Sequence, residues 1–192
     1  LDVETYRNLR IEFVTNNGSF YMDDTRNFGQ LNIFLNLDEH KKKLNSLGSD
    51  PLGKEKMPKQ LFREYFRKFK KDWVIADALM MPKFIAGVGN YLRAEIFYDS
   101  GIDPYCQLQE FSDEMIDALY SSTHKIMKHS YNKIINDSYI SFKVYNRETC
   151  PKGNLIVYTD RKGRRLWYCP KSIKYKCKNK PINDNIKSKK KN

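Results

Sequence analysis

The sequence predicts a mixed α+β protein, because its apolar residues follow three different spacings along the chain. Apolar residues alternate at 9–13, and the turn residues Asn16-Asn17-Gly18 then separate them from Phe20-Tyr21-Met22, as expected of a β-hairpin. From Pro58 the spacing becomes helical and stays so through four segments. Near the end, the segments LIVYT and RLWYC flank DRKGR, which predicts a second hairpin.

The strands predicted at the start of the chain indicate part of a larger β-domain. Residues 29–36 (GQLNIFLN) are expected to form a third strand, because Leu31, Ile33 and Leu35 would share one face. One hairpin and one strand are marginal as an isolated sheet. Since the sequence also begins with Leu, we expect these strands to be the end of a β-domain whose earlier part is missing.

Four helices are expected in the middle of the chain, after a linker at 50–53. The first follows Pro58, and the second runs from about Asp72 until Pro82 ends or bends it. The third covers 90–100, and the fourth begins after Ser112, a good N-cap. The core-facing residues expected are Leu61, Phe62, Tyr65, Phe66, Phe69, Val74, Ile75, Ala78, Leu79, Met115, Ile116, Leu119, Tyr120, Ile126 and Met127.

Composition narrows the class of protein. The hydrophobic fraction of 40% suits a folded protein, and neither a membrane span nor a signal peptide is visible. Of the net charge of +12, residues 170–192 carry +8 through nine Lys and one Asp. That segment is either a solvated end or a nucleic-acid contact, and charge alone does not decide. The four cysteines, at 106, 150, 169 and 177, form no CxxC pair, which favours a reducing compartment.

The segment from Ile85 to Glu95 is the most informative. Gly87 and Gly89 allow a sharp backbone turn, and Asn90 opens the next helix. Free N–H groups at a helix start make a phosphate site. The alternative interpretation is a tight turn between helices, with Asn90 acting only as a cap.

Three segments in order resemble one family. IAGVGNYLRAEIFYDSGIDP is similar to the helix–two-turn–helix (H2TH) motif of the formamidopyrimidine-DNA glycosylase and endonuclease VIII (Fpg/Nei) family, nearest its endonuclease VIII-like branch. MDDTRNFG resembles the family's void-filling loop, and KVYNRETC…DRKGRRLWYC its finger. The resemblance covers about residues 9–178. It implies the end of a β-sandwich at 1–48, an H2TH domain at 49–143, a finger at 144–178 and a disordered tail at 179–192.

The resemblance also implies a function. Such enzymes are bifunctional DNA glycosylases and AP lyases that remove oxidised bases, and this branch favours pyrimidines and ring-opened lesions. An N-terminal proline amine attacks the sugar with the help of a glutamate, and neither residue is in this sequence, so we expect the nucleophile upstream. A purine-specific enzyme, a non-catalytic DNA-binding module and an inactive family member are the alternatives.

The implied partner is damaged DNA, double-stranded and in some contexts single-stranded, bound by a monomer that needs no cofactor and no membrane. We expect an intracellular, reducing location, at the nucleus or a site of DNA replication for a eukaryotic or viral source.

The resemblance assigns DNA-holding roles to three residues. Asn90 matches the phosphate-binding asparagine of the H2TH motif, and Lys71 lies near another phosphate contact. Arg164 matches the arginine at the tip of the finger, which holds the phosphate beside the lesion and assists the second elimination step.

Arg26 and Phe28 match the loop that fills the gap left by an extruded nucleotide. Asn27 stands in place of a second arginine and Thr25 in place of the usual proline, so the preference for the opposite base does not carry over.

The finger departs most from zinc-containing relatives, which carry two CxxC pairs. Cys150 and Cys169 each supply one thiol where two are needed, and Cys177 with the three histidines does not restore the spacing. The sequence therefore predicts a zincless finger. A disulfide or a two-thiol metal site at Cys150 and Cys169 is the alternative.

Overall fold

The computed structural model describes residues 8–24, 29–53, 57–178 and 186–188. The chain divides into two compact units, residues 1–42 and 43–192. Helices and antiparallel hairpins occur in the order predicted, so the mixed class expected from the sequence is confirmed. No described helix is long and apolar enough to cross a membrane.

The first unit contains the predicted hairpin. Strand β1 (Leu9–Thr15) pairs antiparallel with β2 (Gly18–Asp23). Gly18 has a φ of 124°, a conformation that favours glycine, and the rings of Phe13 and Phe20 stack at 4.7 Å between centroids. The turn and the alternating pattern both match the sequence prediction.

The third strand predicted at 29–36 is wrong. Those residues form no strand, and Leu31, Ile33 and Leu35 are 49%, 77% and 97% exposed. Alternation marks a strand only where another strand supplies hydrogen bonds, and among the described residues β1 and β2 pair only with each other. Helix α1 (Leu37–Asn45), which was not predicted, follows directly and begins where the Asn36 carboxamide accepts from the Asp38 N–H at 2.8 Å.

The second unit is organised around a helical core. Its helices are α2 (Lys59–Arg67), the short α3 (Ile75–Ala78), α4 (Asn90–Ser100) and α5 (Asp113–Ile135). The Ser112 side chain accepts from the Met115 N–H at 3.2 Å, which confirms the predicted cap. The predicted core residues are buried or partly buried with one exception, Leu61, which is 51% exposed because α2 buries Phe62 and Phe66 instead.

The turns around α4 follow from the glycines. Gly87 has a φ of 81°, and Gly101 ends α4 in the left-handed conformation with a φ of 71°. The Gly101 N–H donates to the Phe97 carbonyl at 2.9 Å, so the helix closes as the sequence predicts.

The hairpin near the end of the chain is formed by β3 (Val157–Arg161) and β4 (Arg164–Tyr168). Lys162 and Gly163 make its two-residue turn, both with positive φ (49° and 73°). Beneath it lies a small core of Ala94, Val144, Cys150, Ile156, Trp167 and Cys169.

Part of the segment at 179–192, which was expected to be disordered, forms a short strand. Strand β5 (Lys187–Ser188) pairs antiparallel with β3, and the Lys187 Nζ lies 2.9 Å from an Asp160 carboxylate oxygen. A two-residue strand leaves no periodicity to read, so the sequence could not show it.

A disulfide joins Cys106 and Cys177, whose Cα atoms are 5.2 Å apart. The neighbouring backbone is joined as well, since the Asp103 N–H donates to the Tyr175 carbonyl at 3.0 Å. The sequence predicted no such pairing, because the two cysteines are 71 residues apart and the cysteine pattern favoured a reducing compartment. The bridge fastens the segment after β4 to the loop after α4.

Candidate nucleic-acid interface

Asn90 connects the start of α4 to the hairpin. Gly89, and not Asn90, occupies the N-cap position of α4. The Asn90 Nδ2 donates to the backbone carbonyl of Arg165 at 3.1 Å. The alternative that Asn90 acts only as a cap is therefore wrong, and the residue belongs to a contact between helix and hairpin.

Arg93, one turn further along α4, supports Asn90 from inside the protein. It is only 2% exposed, and its Nη2 donates to the Asn90 Oδ1 at 2.5 Å. Its Nη1 donates to the Ala76 carbonyl at 3.1 Å. The pKa of Arg93 is lowered to about 10, mainly by burial; Asp77 acts to raise it, and Arg161 and Arg164 act to lower it. The group remains a cation at neutral pH.

Asp77 fastens the hairpin tip to α3. Its carboxylate accepts from Arg161 Nε at 2.7 Å and Nη2 at 3.0 Å, a bidentate pair, and Lys162 Nζ lies 3.0 Å from one of its oxygens. Burial raises the pKa of Asp77, but the hydrogen bonds from Arg161 and Lys162 more than offset this and hold it below its ordinary value. The two cations of the turn thus share one carboxylate.

Arg164 is an exposed cation at the hairpin tip. It begins β4 opposite Arg161, and within the described part of the chain no carboxylate pairs with it. Asp77 offsets one of the four positive charges on Arg93, Arg161, Lys162 and Arg164. The surface around Asn90 consequently has an excess of positive charge and hydrogen-bond donors, which suits an anion.

Glu95 holds the beginning of the finger, a role that the sequence did not reveal. Its carboxylate is 7% exposed and accepts from the backbone N–H groups of Lys143, Val144 and Tyr145 at 2.9–3.1 Å. A buried carboxylate requires such partners. The sequence offered no local signal for this role, because the N–H donors that Glu95 accepts from lie almost 50 residues away.

Residues 47–139 match the family model of the formamidopyrimidine-DNA glycosylase H2TH domain. Endonuclease 8 from Pectobacterium carotovorum subsp. carotovorum is 27% identical over 177 residues, which cover 87% of this chain and 66% of that protein. Endonuclease 8 from Enterobacter sp. is 32% identical over 102 residues, 48% of this chain and 39% of that protein. The H2TH match and these relatives together support an Fpg/Nei family member.

The fold agrees with this similarity to Fpg/Nei proteins. Lactococcus lactis Fpg, solved in complex with FAPY-dG-containing DNA, superimposes with a TM-score of 0.72 at 22% identity, covering 88% of this chain and 66% of that one. The chain spans slightly less than two thirds of the length of the first of these relatives.

The structure brings together two of the residues that the Fpg/Nei resemblance singled out. Asn90 and the hairpin tip with Arg164 lie together. Lys71 lines an open cleft of about 430 Å³ with Phe66, Arg67, Phe69, Leu108 and Gln109, and this cleft includes neither Asn90 nor Arg164. Arg26 and Phe28 lie outside the described residues.

The residues of the finger do not fit a structural zinc ion. Cys150 and Cys169 are both buried and interact with each other, and Tyr98 contacts Cys150. Burial raises the pKa of Cys150, but N–H groups of Lys152 and Asn154 lower it overall, to about 7. Two thiols are half of the four ligands required. Across the residues that the structure describes, no group of three His, Cys, Asp or Glu side chains could hold a metal ion.

Proposed function

We propose that residues 43–178 form the DNA-holding part of a base-excision-repair enzyme, a DNA glycosylase with AP lyase activity that removes oxidised bases. The observation that carries the proposal is the contact between Asn90 and the Arg165 carbonyl, which sets an amide donor beside the exposed Arg164. Both side chains suit a phosphodiester, since amide N–H groups and a guanidinium are donors.

The cations of the hairpin tip differ in whether a carboxylate pairs with them, and this difference supports a phosphate ligand. Arg161 and Lys162 are occupied by Asp77, whereas Arg164 next to them has no carboxylate partner among the described residues. A planar guanidinium binds phosphate through two parallel hydrogen bonds. Arg164 is thus the group that would hold the phosphate beside the damaged nucleotide and stabilise charge during strand cleavage.

The named relatives support the reaction class. Endonuclease 8 is the name of the curated relatives, and the structural neighbour from Lactococcus lactis was solved with FAPY-dG-containing DNA. Oxidised pyrimidines and ring-opened bases are accordingly the substrates we propose, with damaged DNA as the partner. Residues Arg26 and Phe28 would fill the gap left by the extruded nucleotide.

Binding by the 192-residue chain tests the DNA-holding role. We expect tighter binding to a duplex with a tetrahydrofuran abasic analogue than to the undamaged duplex, in fluorescence anisotropy at two salt concentrations. Arg164→Ala should weaken binding about tenfold, the effect of losing a hydrogen bond to a charged group. Arg147→Ala is the matched control, because it removes the same charge from an exposed position that makes none of these contacts. Equal losses in the two variants would contradict the proposal.

Catalysis needs a separate test on the natural protein that contains these residues. Incubation with DNA carrying an oxidised pyrimidine should release the base, nick the strand and yield a covalent complex trapped by borohydride. Binding without release or trapping would identify a non-catalytic DNA-binding protein or an inactive family member instead.

A further inference from the structure

The buried guanidinium of Arg93 lacks the counter-ion that such groups usually have. Within the described ranges it forms no salt bridge, and its Nε has no hydrogen-bond partner. Asp77, the carboxylate that most favours its charge, is already bound by Arg161 and Lys162. Burying a cation this way costs stability, so the charge needs a reason other than packing.

The two partners of the Asn90 carboxamide explain what Arg93 does. A guanidinium can only donate, so the atom that it reaches in Asn90 must be the carbonyl oxygen. The backbone carbonyl of Arg165 can only accept, so the atom facing it must be the amide nitrogen. The two contacts together fix which way the carboxamide points.

This orientation matters for an anion. An amide nitrogen carries two hydrogens, and the Arg165 carbonyl uses one of them, so the other can serve a phosphate oxygen. If the carboxamide rotated by half a turn, its oxygen would face the phosphate instead, and two acceptors repel each other. A cation behind the oxygen prevents that rotation.

We propose that Arg93 is a positioning residue for DNA binding: it locks the Asn90 carboxamide with its N–H toward the phosphate and places positive charge behind it. The proposal rests on the proposed function and adds a residue to it that does not itself contact DNA. Arg93 is only 2% exposed, so it acts through Asn90.

A double-mutant cycle with the abasic duplex tests this coupling. Arg93→Met should weaken binding about tenfold in the wild-type background. With Asn90→Ala already present, the same change should have less than about a twofold effect, since nothing remains to be positioned. Arg93→Lys, which keeps the charge without the fork, should lie between wild type and Arg93→Met. Equal losses in both backgrounds would overturn the proposal.

The control and a second readout separate positioning from stability. Arg63→Met removes a different arginine, which pairs with Asp117 on α5, and should lower the melting temperature without changing affinity. In NMR spectra without DNA, the Asn90 side-chain proton that donates to the Arg165 carbonyl should exchange slowly with solvent, and Arg93→Lys should speed that exchange.

These readouts distinguish the two failures. Ordered Asn90 signals that depend on Arg93, in a protein that does not bind DNA, would keep the positioning role and refute the proposed function. DNA binding with Asn90 signals unchanged by Arg93→Lys would keep the function and refute the positioning role.

Discussion

The Asn90 carboxamide donates a hydrogen bond of 3.1 Å to the backbone carbonyl of Arg165, a residue 75 positions later in the chain. This contact joins the first turn of α4 to the hairpin that carries Arg164. The donor of the helix and the arginine of the hairpin are thereby held in one surface. The affinity for a ligand that contacts both residues should therefore depend on how α4 and the hairpin pack against each other.

Asp77→Asn should release the hairpin tip and weaken DNA binding, because Arg161 and Lys162 lose their shared carboxylate. The effect on stability should depend on pH. Since the folded-state pKa of Asp77 lies below its unfolded value of about 4, the carboxylate stabilises the fold above that pH and ceases to do so as pH falls through the folded pKa.

The measurement is the melting temperature of wild type and Asp77→Asn between about pH 2 and pH 7. The two curves should converge toward the acid end. Asp160→Asn is the control. Asp160 lies on β3 next to Arg161 and pairs with Lys187 at an exposed position. A constant gap across this range would show that Asp77 does not stabilise the tip through its charge.

Glu95→Gln should destabilise the second unit, since a carboxylate that accepts from three consecutive N–H groups becomes a neutral amide with one acceptor atom. We expect a loss of about 1.5–3 kcal/mol in the free energy of unfolding, measured by urea denaturation. Glu148→Gln, at an exposed site nearby, should have no such effect. An unchanged midpoint for Glu95→Gln would mean that these hydrogen bonds contribute little.

Periodicity and turn chemistry predicted the features that depend only on residues close together in the sequence. Ser112 as a cap, Gly101 at the end of α4 and the Lys162-Gly163 turn each depend on neighbouring residues, so the sequence revealed them. The strand predicted at 29–36 fails because a strand requires a partner, and alternation cannot supply one.

The site shows the same division between local and distant information. The resemblance singled out Asn90 and Arg164, but not the residues that hold them in place. Arg93 and Glu95 resemble surface charges in the sequence. In the fold Arg93 donates to the Ala76 carbonyl, 17 residues away, and Glu95 accepts from backbone N–H groups almost 50 residues away. Such contacts become visible only when the chain is folded.

The finger is predicted to fold and function without zinc, and this stays a prediction. Cys150 and Cys169 supply two ligands, and the apolar residues Val144, Ile156 and Trp167 pack around them. Metal analysis of the purified protein should find no stoichiometric zinc, and a chelator should leave the melting temperature unchanged. One zinc per chain, lost together with DNA binding in chelator, would contradict the prediction.

Deletion of residues 179–192 should weaken binding to damaged and undamaged DNA about equally, because lysines contact phosphates without reading bases. The segment holds five lysines, including Lys187 of β5. A second variant with those five lysines changed to Gln keeps the length of the chain and should behave like the deletion. A loss confined to damaged DNA would mean that the tail takes part in recognising the lesion.

The most direct test of the central claim is the affinity of Asn90→Asp for the abasic duplex, measured beside its melting temperature. Aspartate has the shape of asparagine, can still accept from Arg93 and suits the first turn of a helix. It cannot donate to the Arg165 carbonyl or to a phosphate, and it repels both. If Asn90 holds DNA, affinity should fall at least about tenfold while the protein stays folded. Binding at the wild-type level by Asn90→Asp would contradict the account.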